Sequence, residues 1–247
     1  MKGYRIYLVL AAIFLAASAL LYFVHYQIFH DEHHIFIFLM HDIAFLPLEV
    51  FLVVIVIERI LNRREKQEML YKLNMVIGAF FSEVGNKLLA ELIEDFANRE
   101  EISRNLNVSA EWTTKDFKRA DAYAYDLKID IDIHKIDLEA LKALLSQKRY
   151  YLLTLLENPN LLEHDRFTDL LWATTHLDEE LEARPSLKDL PESDLAHLAV
   201  DIERMYDHLA SEWLDYVQHL KSSYPFLFSL VLRTHPFQEN PSAVFAQ

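Results

Sequence analysis

Two long apolar stretches near the N-terminus constrain this chain more than any other feature. Residues 6–29 read IYLVLAAIFLAASALLYFVHYQIF, and residues 35–57 read IFIFLMHDIAFLPLEVFLVVIVI. Each is long enough to cross the hydrocarbon core of a bilayer, about 30 Å, as a helix. A cleaved signal peptide would be followed by polar sequence, whereas LLYFV follows the small residues 17–19. We therefore predict two retained membrane spans, joined by a short turn into an antiparallel hairpin.

The distribution of Lys and Arg predicts how this hairpin lies in the membrane. Lys2 and Arg5 precede the first span, Arg59, Arg63 and further basic residues follow the second, and the turn HDEHH between the spans has neither residue type. Basic residues concentrate on the cytoplasmic side of membrane proteins. We expect a multi-pass protein of the cell (inner) membrane with the lipid bilayer as a partner, both termini in the cytoplasm and the His-rich turn outside.

Composition excludes several classes of function. The chain has no Cys, which removes disulfides, iron–sulfur ligation and thiol nucleophiles, and its three Gly leave no Gly-rich phosphate loop. The formal charge of −14 argues against nucleic acid as a partner, because such binding depends on basic patches. No nucleophile-elbow motif marks a hydrolase. An enzyme is therefore less expected than a protein without catalytic activity.

The rest of the chain has the composition of a helical protein, since Gly and Pro are scarce. No Pro occurs between residues 59 and 99, and apolar residues recur there at three- and four-residue steps, which predicts a long juxtamembrane helix over 58–104. Residues 105–247 are expected to form a cytoplasmic helical domain. The predicted fold class is all-α: a transmembrane helical hairpin over residues 1–57 followed by a cytoplasmic helical bundle.

Cap and turn signals divide the cytoplasmic domain further. They predict helices over 138–157, 169–183 and 194–222, the first of them capped by Asp137. Residues 127–136, LKIDIDIHKI, alternate apolar and polar side chains like a strand. Because the sequence offers no second strand, we predict an extended connector there.

Two carboxylic acids inside the second span are the strongest candidates for function. An acid at the centre of a span costs about 3 kcal/mol even on a mild insertion scale. Asp42 and Glu49 are seven residues apart, so they share one helix face at a separation of about 10.5 Å. Pro47 lies between them and cannot donate to the carbonyl of Ile43, which leaves that oxygen available to an ion. We predict that Asp42, Glu49 and the Ile43 carbonyl bind cations.

These residues lead to three alternative functions. In the first, the second span lines the axis of a homo-oligomer, because two spans cannot enclose a pore alone. The two acids then form carboxylate rings that select monovalent or divalent cations, Val53, Val56 and Ile60 form a dry gate, and the helical domain assembles or gates the channel. In the second, the protein is a membrane-anchored scaffold or regulator whose helical domain binds a protein partner, and the acids only pack the hairpin.

The third alternative is a metal-binding protein. Five histidines crowd the outer end of the hairpin with Asp31 and Glu32 among them, and imidazole with carboxylate suits a transition metal as cofactor. The outer histidines are His25, His30, His33, His34 and His41. Their other interpretation is a polar turn at the lipid headgroups.

A second row of histidines lies in the last long predicted helix. His197, His208 and His219 are spaced by eleven residues, which places them on one helix face, and Asp201 and Glu212 follow two of them by four positions. Neighbouring histidines of the row are about 16.5 Å apart along the axis, so they cannot share one metal from this helix alone. We interpret the row as a solvated or interhelical polar stripe.

Four strings along the chain are similar to those of a known group of proteins. They are HDIAFLPLEV in the second span, LNMVIGAFFSEVG after it, and FTDLLWATTHLDEELEAR and YVQHLKSSYPFLFSLVLRT in the cytoplasmic domain. The chain resembles uncharacterised two-span membrane proteins of prokaryotes over most of its length. The resemblance implies the topology and a prokaryotic source, and it implies no activity.

Overall fold

The structure is a computed structural model that describes residues 2–161 and 164–244, with the side chains of residues 2–6, 66–68 and 70 left out. The described part is helical and has no strand, which confirms the predicted all-α class. The helices are α1 (Lys2–Phe29), α2 (Glu32–Phe80), a π-helical turn (Phe81–Gly85), α3 (Asn86–Ile93), α4 (Arg99–Leu106), α5 (Thr114–Tyr125), α6 (Leu138–Leu156), α7 (Asp165–Ala183), α8 (Glu192–Ser223) and α9 (Pro225–Thr234).

The chain divides into two compact units, Met1–Lys66 and Gln67–Gln247. Within the described residues, Tyr7–Phe29 of the first unit is the one helical stretch that is long and apolar enough to cross a membrane. A signal sequence near an N-terminus has the same length and composition. The apolar character of this helix is thus confirmed, and the second span stays a prediction.

The turn between α1 and α2 has a defined geometry. His30 adopts a left-handed backbone conformation with φ of 47° and ends α1, and Asp31 Oδ1 accepts a hydrogen bond from the backbone N–H of His34 at 3.1 Å, which caps the start of α2. The described side chains of the first unit are exposed, except those of His25 and Ile35, which are half-buried.

The antiparallel hairpin stays a prediction, since the described side chains of both helices are almost all exposed. The apolar pattern itself does not fix how the two helices pack. Lipid tails are as apolar as leucine, so an apolar helix gains no hydrophobic free energy by choosing another helix over lipid, and small or polar residues must specify the contact. A sequence pattern that identifies a span does not identify its packing partner.

The second unit has its core where α5, α6, α7 and α8 meet the end of α2 and the π-helical turn. The rings of Phe80 and Phe167 meet edge to face at 5.2 Å between centroids, and Phe81 stacks on Tyr216 at 5.1 Å. In the π-helical turn, a Cβ added to Gly85 would lie 2.5 Å from the Phe81 ring. Glycine is therefore required where the chain passes this aromatic cluster.

The predicted juxtamembrane helix over 58–104 is interrupted after α3. Phe96 pairs with Ile131 in an isolated antiparallel bridge, and the side-chain oxygen of Asn98 accepts a hydrogen bond from the backbone N–H of Asp130 at 3.0 Å. The alternating segment LKIDIDIHKI thus finds its partner in the turn that follows α3. Helical hydrogen bonding is interrupted there, and the Ala97 N–H donates to the Asp130 carbonyl at 2.9 Å instead.

Candidate metal centre

Helices α7 and α8 run antiparallel and bring together four side chains that are able to bind a metal. His176 and Glu180 lie one turn apart on α7, and His197 and Asp201 lie one turn apart on α8. A spacing of four residues places both members of each pair on the same helix face. Since the two helices follow each other in the chain and pack along their lengths, the two pairs face each other near the connecting loop.

The four side chains form a closed ring of short nitrogen–oxygen distances. His197 Nε2 lies 3.3 Å from Asp201 Oδ2 and 3.6 Å from Glu180 Oε2, and His176 Nε2 lies 3.7 Å from Asp201 Oδ2 and 3.9 Å from Glu180 Oε1. The tetrahedral coordination of zinc, with bonds of about 2.0–2.2 Å, separates ligand atoms by about 3.3–3.6 Å. The two distances from His197 fall within this range, and the two from His176 exceed it by a few tenths of an ångström.

Asp201 is the most unusual member of the ring. Its side chain is 1% exposed, and Oδ1 accepts a hydrogen bond from Arg204 at 2.8 Å. Oδ2 has no hydrogen-bond donor within the described residues and is directed at both imidazoles. A buried carboxylate oxygen without a donor is costly. The position favours a cation bound at Oδ2.

Glu180 is held in place by a neighbouring arginine. The Arg184 guanidinium donates to both carboxylate oxygens of Asp194, at 2.8 and 2.7 Å, and to Glu180 Oε2 at 2.8 Å. The hydrogen bond from Arg184 lowers the pKa of Glu180, and the Arg184 charge and the two neighbouring histidines act in the same direction. Glu180 is therefore ionised at neutral pH, as a metal-binding carboxylate must be.

The sequence did not predict this candidate centre. His197 and Asp201 belong to the histidine row, which the sequence analysis interprets as a polar stripe. The other two ligands, His176 and Glu180, were missed although they lie in the string FTDLLWATTHLDEELEAR. The available signal was a His-x-x-x-acid pair on each of two consecutive predicted helices.

The remaining histidines of the row have other surroundings. His208 Nδ1 lies 3.2 Å from Asp207 Oδ1, and His219 Nδ1 lies 3.3 Å from the side-chain nitrogen of Asn74. Burial lowers the pKa of His219, which disfavours a charged ring there. The row is therefore not one continuous site.

The predicted site residues of the first unit are spread along the exposed surfaces of α1 and α2. Asp42, Ile43 and Glu49 lie within α2 with exposed side chains, as do the predicted gate residues Val53, Val56 and Ile60. Of the outer histidines, the structure brings the rings of His25 and His34 together, stacked at 6.2 Å between centroids. Among the described residues, Glu180, His197 and Asp201 offer one ligand atom each within 4.8 Å of one another, whereas His176 lies at the edge of this set and the outer histidines form no such group.

A second polar cluster joins α5, α7 and α8 further from the loop. Arg166 donates to Asp121 Oδ1 at 2.6 Å and to Asp215 Oδ2 at 2.9 Å, and its Nε lies 3.5 Å from Glu212 Oε1. The Glu212 side chain is 2% exposed. Burial raises the pKa of Glu212 to about 8 against the opposing effect of Arg166, and the charges of Asp215 and Asp121 add to the rise. The sequence did not predict this cluster.

Glu212 makes the stability of the second unit depend on pH. Its folded-state pKa of about 8 lies above its usual value of 4.5, so the proton that it holds stabilises the fold, and this stabilisation is lost as pH rises from 4.5 through 8. We expect Glu212→Gln to remove the loss and to raise the free energy of unfolding by about 1–3 kcal/mol at alkaline pH relative to wild type. Chemical denaturation across this pH range measures it, with Glu139→Gln at an exposed site of α6 as control. Identical pH slopes for wild type and Glu212→Gln would contradict the assignment.

Comparison with known proteins agrees with the division into two units. Residues 2–61 match a family described as the N-terminal helical domain of MJ1433, and residues 69–233 match one described as the C-terminal helical domain of the uncharacterized protein MJ1433. A protein of Methanocaldococcus jannaschii with that name is 44% identical over 247 residues, which cover 100% of this chain and 98% of the relative. No solved structure matches. The chain therefore belongs to the MJ1433 family of helical proteins.

Proposed function

We propose that this protein is anchored in a membrane and that its helical domain binds one divalent transition-metal ion between α7 and α8. The observation that carries the proposal is Asp201 Oδ2, a buried carboxylate oxygen directed at two imidazoles with Glu180 beside them. The proposed ligands are His176, Glu180, His197 and Asp201. Two imidazoles with two carboxylates suit ions such as zinc or iron rather than calcium or magnesium.

The surroundings of the four ligands support this role. All four stand on two long helices, which hold ligands more precisely than loops do. Arg184 and Arg204 each hold one of the ligand carboxylates, as outer partners of metal ligands commonly do. A bound ion would supply positive charge to two acids and join α7 to α8. It would thereby stabilise the folded domain by mass action.

In this proposal, residues 35–57 cross the membrane as a second span and form the anchor together with residues 7–29. The apolar side chains of residues 7–29 and 35–57 are exposed along both helices apart from the half-buried Ile35, and soluble proteins rarely expose apolar surface of that extent. The Lys and Arg distribution favours an outer turn and a cytoplasmic metal centre.

A second function, cation conduction, is favoured by the exposure of Asp42 and Glu49 on α2 with Pro47 inside the same helix. In a homo-oligomer these acids would line a wet axis rather than face lipid. A scaffold that binds a protein partner is the alternative in which both acids only pack against other helices. The metal centre is compatible with either arrangement.

Metal binding is tested with the purified full chain. Zinc titration followed by calorimetry should give one high-affinity ion per chain, and zinc should raise the unfolding temperature. His176→Ala and Asp201→Asn should each lower the affinity at least about tenfold, because removal of a ligand or of its charge weakens the site.

Two variants serve as controls for this titration. His208→Ala removes a histidine of α8 that is not a ligand, and the triple replacement of His30, His33 and His34 by Ala removes the outer cluster. Both should bind zinc as wild type does. Loss of zinc in the triple variant with unchanged binding by Asp201→Asn would place the ion at the outer turn and contradict the proposal.

The orientation is tested by single cysteines in a chain that has none of its own. An impermeant thiol reagent applied to intact cells should label Asp31→Cys, which lies in the outer turn, and should label Glu65→Cys only after the cells are opened. Labelling of Glu65→Cys alone in intact cells would reverse the orientation. Labelling of both would exclude two membrane spans.

Cation conduction is tested by flux through the protein in liposomes. Glu49→Gln retains shape and hydrogen-bonding capacity and removes the charge, so it should assemble normally and lower the cation flux or change the selectivity. Asp42→Asn should act in the same direction more weakly, because solvent screens a charge nearer the outer interface. Normal assembly of Glu49→Gln with unchanged flux would count against a pore lined by this residue.

A further inference from the structure

A groove on the surface of the second unit begins at the metal centre. It has a volume of about 280 Å³ between α7 and α8. One of the proposed ligands, His176, lines it, and so does Arg204, which binds the ligand Asp201. The complete lining is Asp169, Trp172, Ala173, His176, Arg204 and His208. A molecule in this groove would lie directly beside the bound ion.

The groove offers hydrogen-bond donors and one apolar wall. Arg204 is half exposed, and among the described residues its one hydrogen bond runs from Nη1 to Asp201 Oδ1, so its other nitrogens remain available. His208 lies one turn further along α8 and is one-third exposed. The Trp172 side chain is more than half exposed one turn before His176. A flat guanidinium is suited to bind a carboxylate through two parallel hydrogen bonds.

The charges of the centre make such binding depend on the metal. Without an ion, Glu180 and Asp201 repel any anion that approaches. A divalent ion balances these two carboxylates, and Asp194 already balances Arg184. Arg204 and Asp169 then remain in the lining of the groove, and Asp207 lies behind His208 at 3.2 Å. One remaining acid in the groove disfavours a doubly charged phosphate more than a singly charged carboxylate.

We propose that this groove binds a small organic monocarboxylate whose carboxyl group lies between the metal ion and Arg204, with its carbon body against Trp172. The ligand is identified by its chemistry: one negative charge, two parallel acceptor oxygens and an apolar body that fits about 280 Å³. The proposal rests on the metal-binding function above. It adds a fifth coordination position to the four proposed ligands, on the side where His176 and His197 are exposed to solvent.

The test uses cobalt-loaded full-length protein, because the visible spectrum of Co²⁺ reports changes in its coordination. Benzoate, acetate and inorganic phosphate are titrated separately. Benzoate should change the cobalt spectrum with saturation, more tightly than acetate because Trp172 contacts the ring. Trp172→Ala and Arg204→Gln should each weaken benzoate at least about tenfold, while Arg119→Gln, at an exposed site of α5, should have no effect.

The outcomes separate this inference from the proposal on which it rests. Failure of cobalt to bind at all would overturn the metal-binding function itself. Normal cobalt binding without a spectral response to benzoate, or a response unchanged in Trp172→Ala, would overturn the groove alone. If Arg204→Gln loses cobalt, the benzoate response of Trp172→Ala and His208→Gln still tests the groove, because neither Trp172 nor His208 is a proposed ligand of the ion. Tighter binding of phosphate than of benzoate, or equal binding of benzoate without metal, would also contradict the proposal.

Discussion

Asp201 carries its carboxylate into the interface of α7 and α8, where 1% of the side chain is exposed, and the neighbouring groups are arranged around that charge. Arg204 binds one oxygen, two imidazoles face the other, and Arg184 positions Glu180 beside them. A buried charge is weak evidence for stability, because desolvation offsets most of what the ion pairs contribute. An apolar residue at this position would pack the interface without the desolvation free energy that a buried charge costs. The metal ion that we propose would supply positive charge at the Asp201 oxygen that lacks a hydrogen-bond donor.

The same pair of helices carries a second buried group of acids, and the two groups differ in what compensates their charge. At Arg166, one guanidinium serves three carboxylates, and Glu212 avoids the excess charge by holding a proton. At the proposed metal centre, Arg184 keeps the partly exposed Glu180 ionised beside the buried Asp201, so the charge remains. A proton compensates the buried acid at Arg166, and in our proposal a metal ion does so at Asp201.

Much of the second unit could be predicted from the sequence, and the failures have physical causes. The cap of α6 by Asp137 is confirmed, since its side chain accepts from the Ala140 N–H. α7 begins four residues before the predicted start at 169, because His164 instead of a later residue caps it. The candidate ligands His176 and Glu180 were not singled out, because periodicity places residues on a helix face and does not give the register between two helices. For residues 35–57, composition predicts a span, and composition does not give the partner against which that span packs.

X-ray absorption spectroscopy at the zinc edge of the loaded protein tests the metal centre most directly. It reports the atoms that surround the ion. A centre built from His176, Glu180, His197 and Asp201 predicts nitrogen and oxygen neighbours at about 2.0–2.1 Å and outer scattering from two imidazole rings, and the Asp201→Asn protein should lose this spectrum. A spectrum with oxygen neighbours alone, or one with imidazole scattering that Asp201→Asn leaves unchanged, would contradict a metal ion bound between α7 and α8.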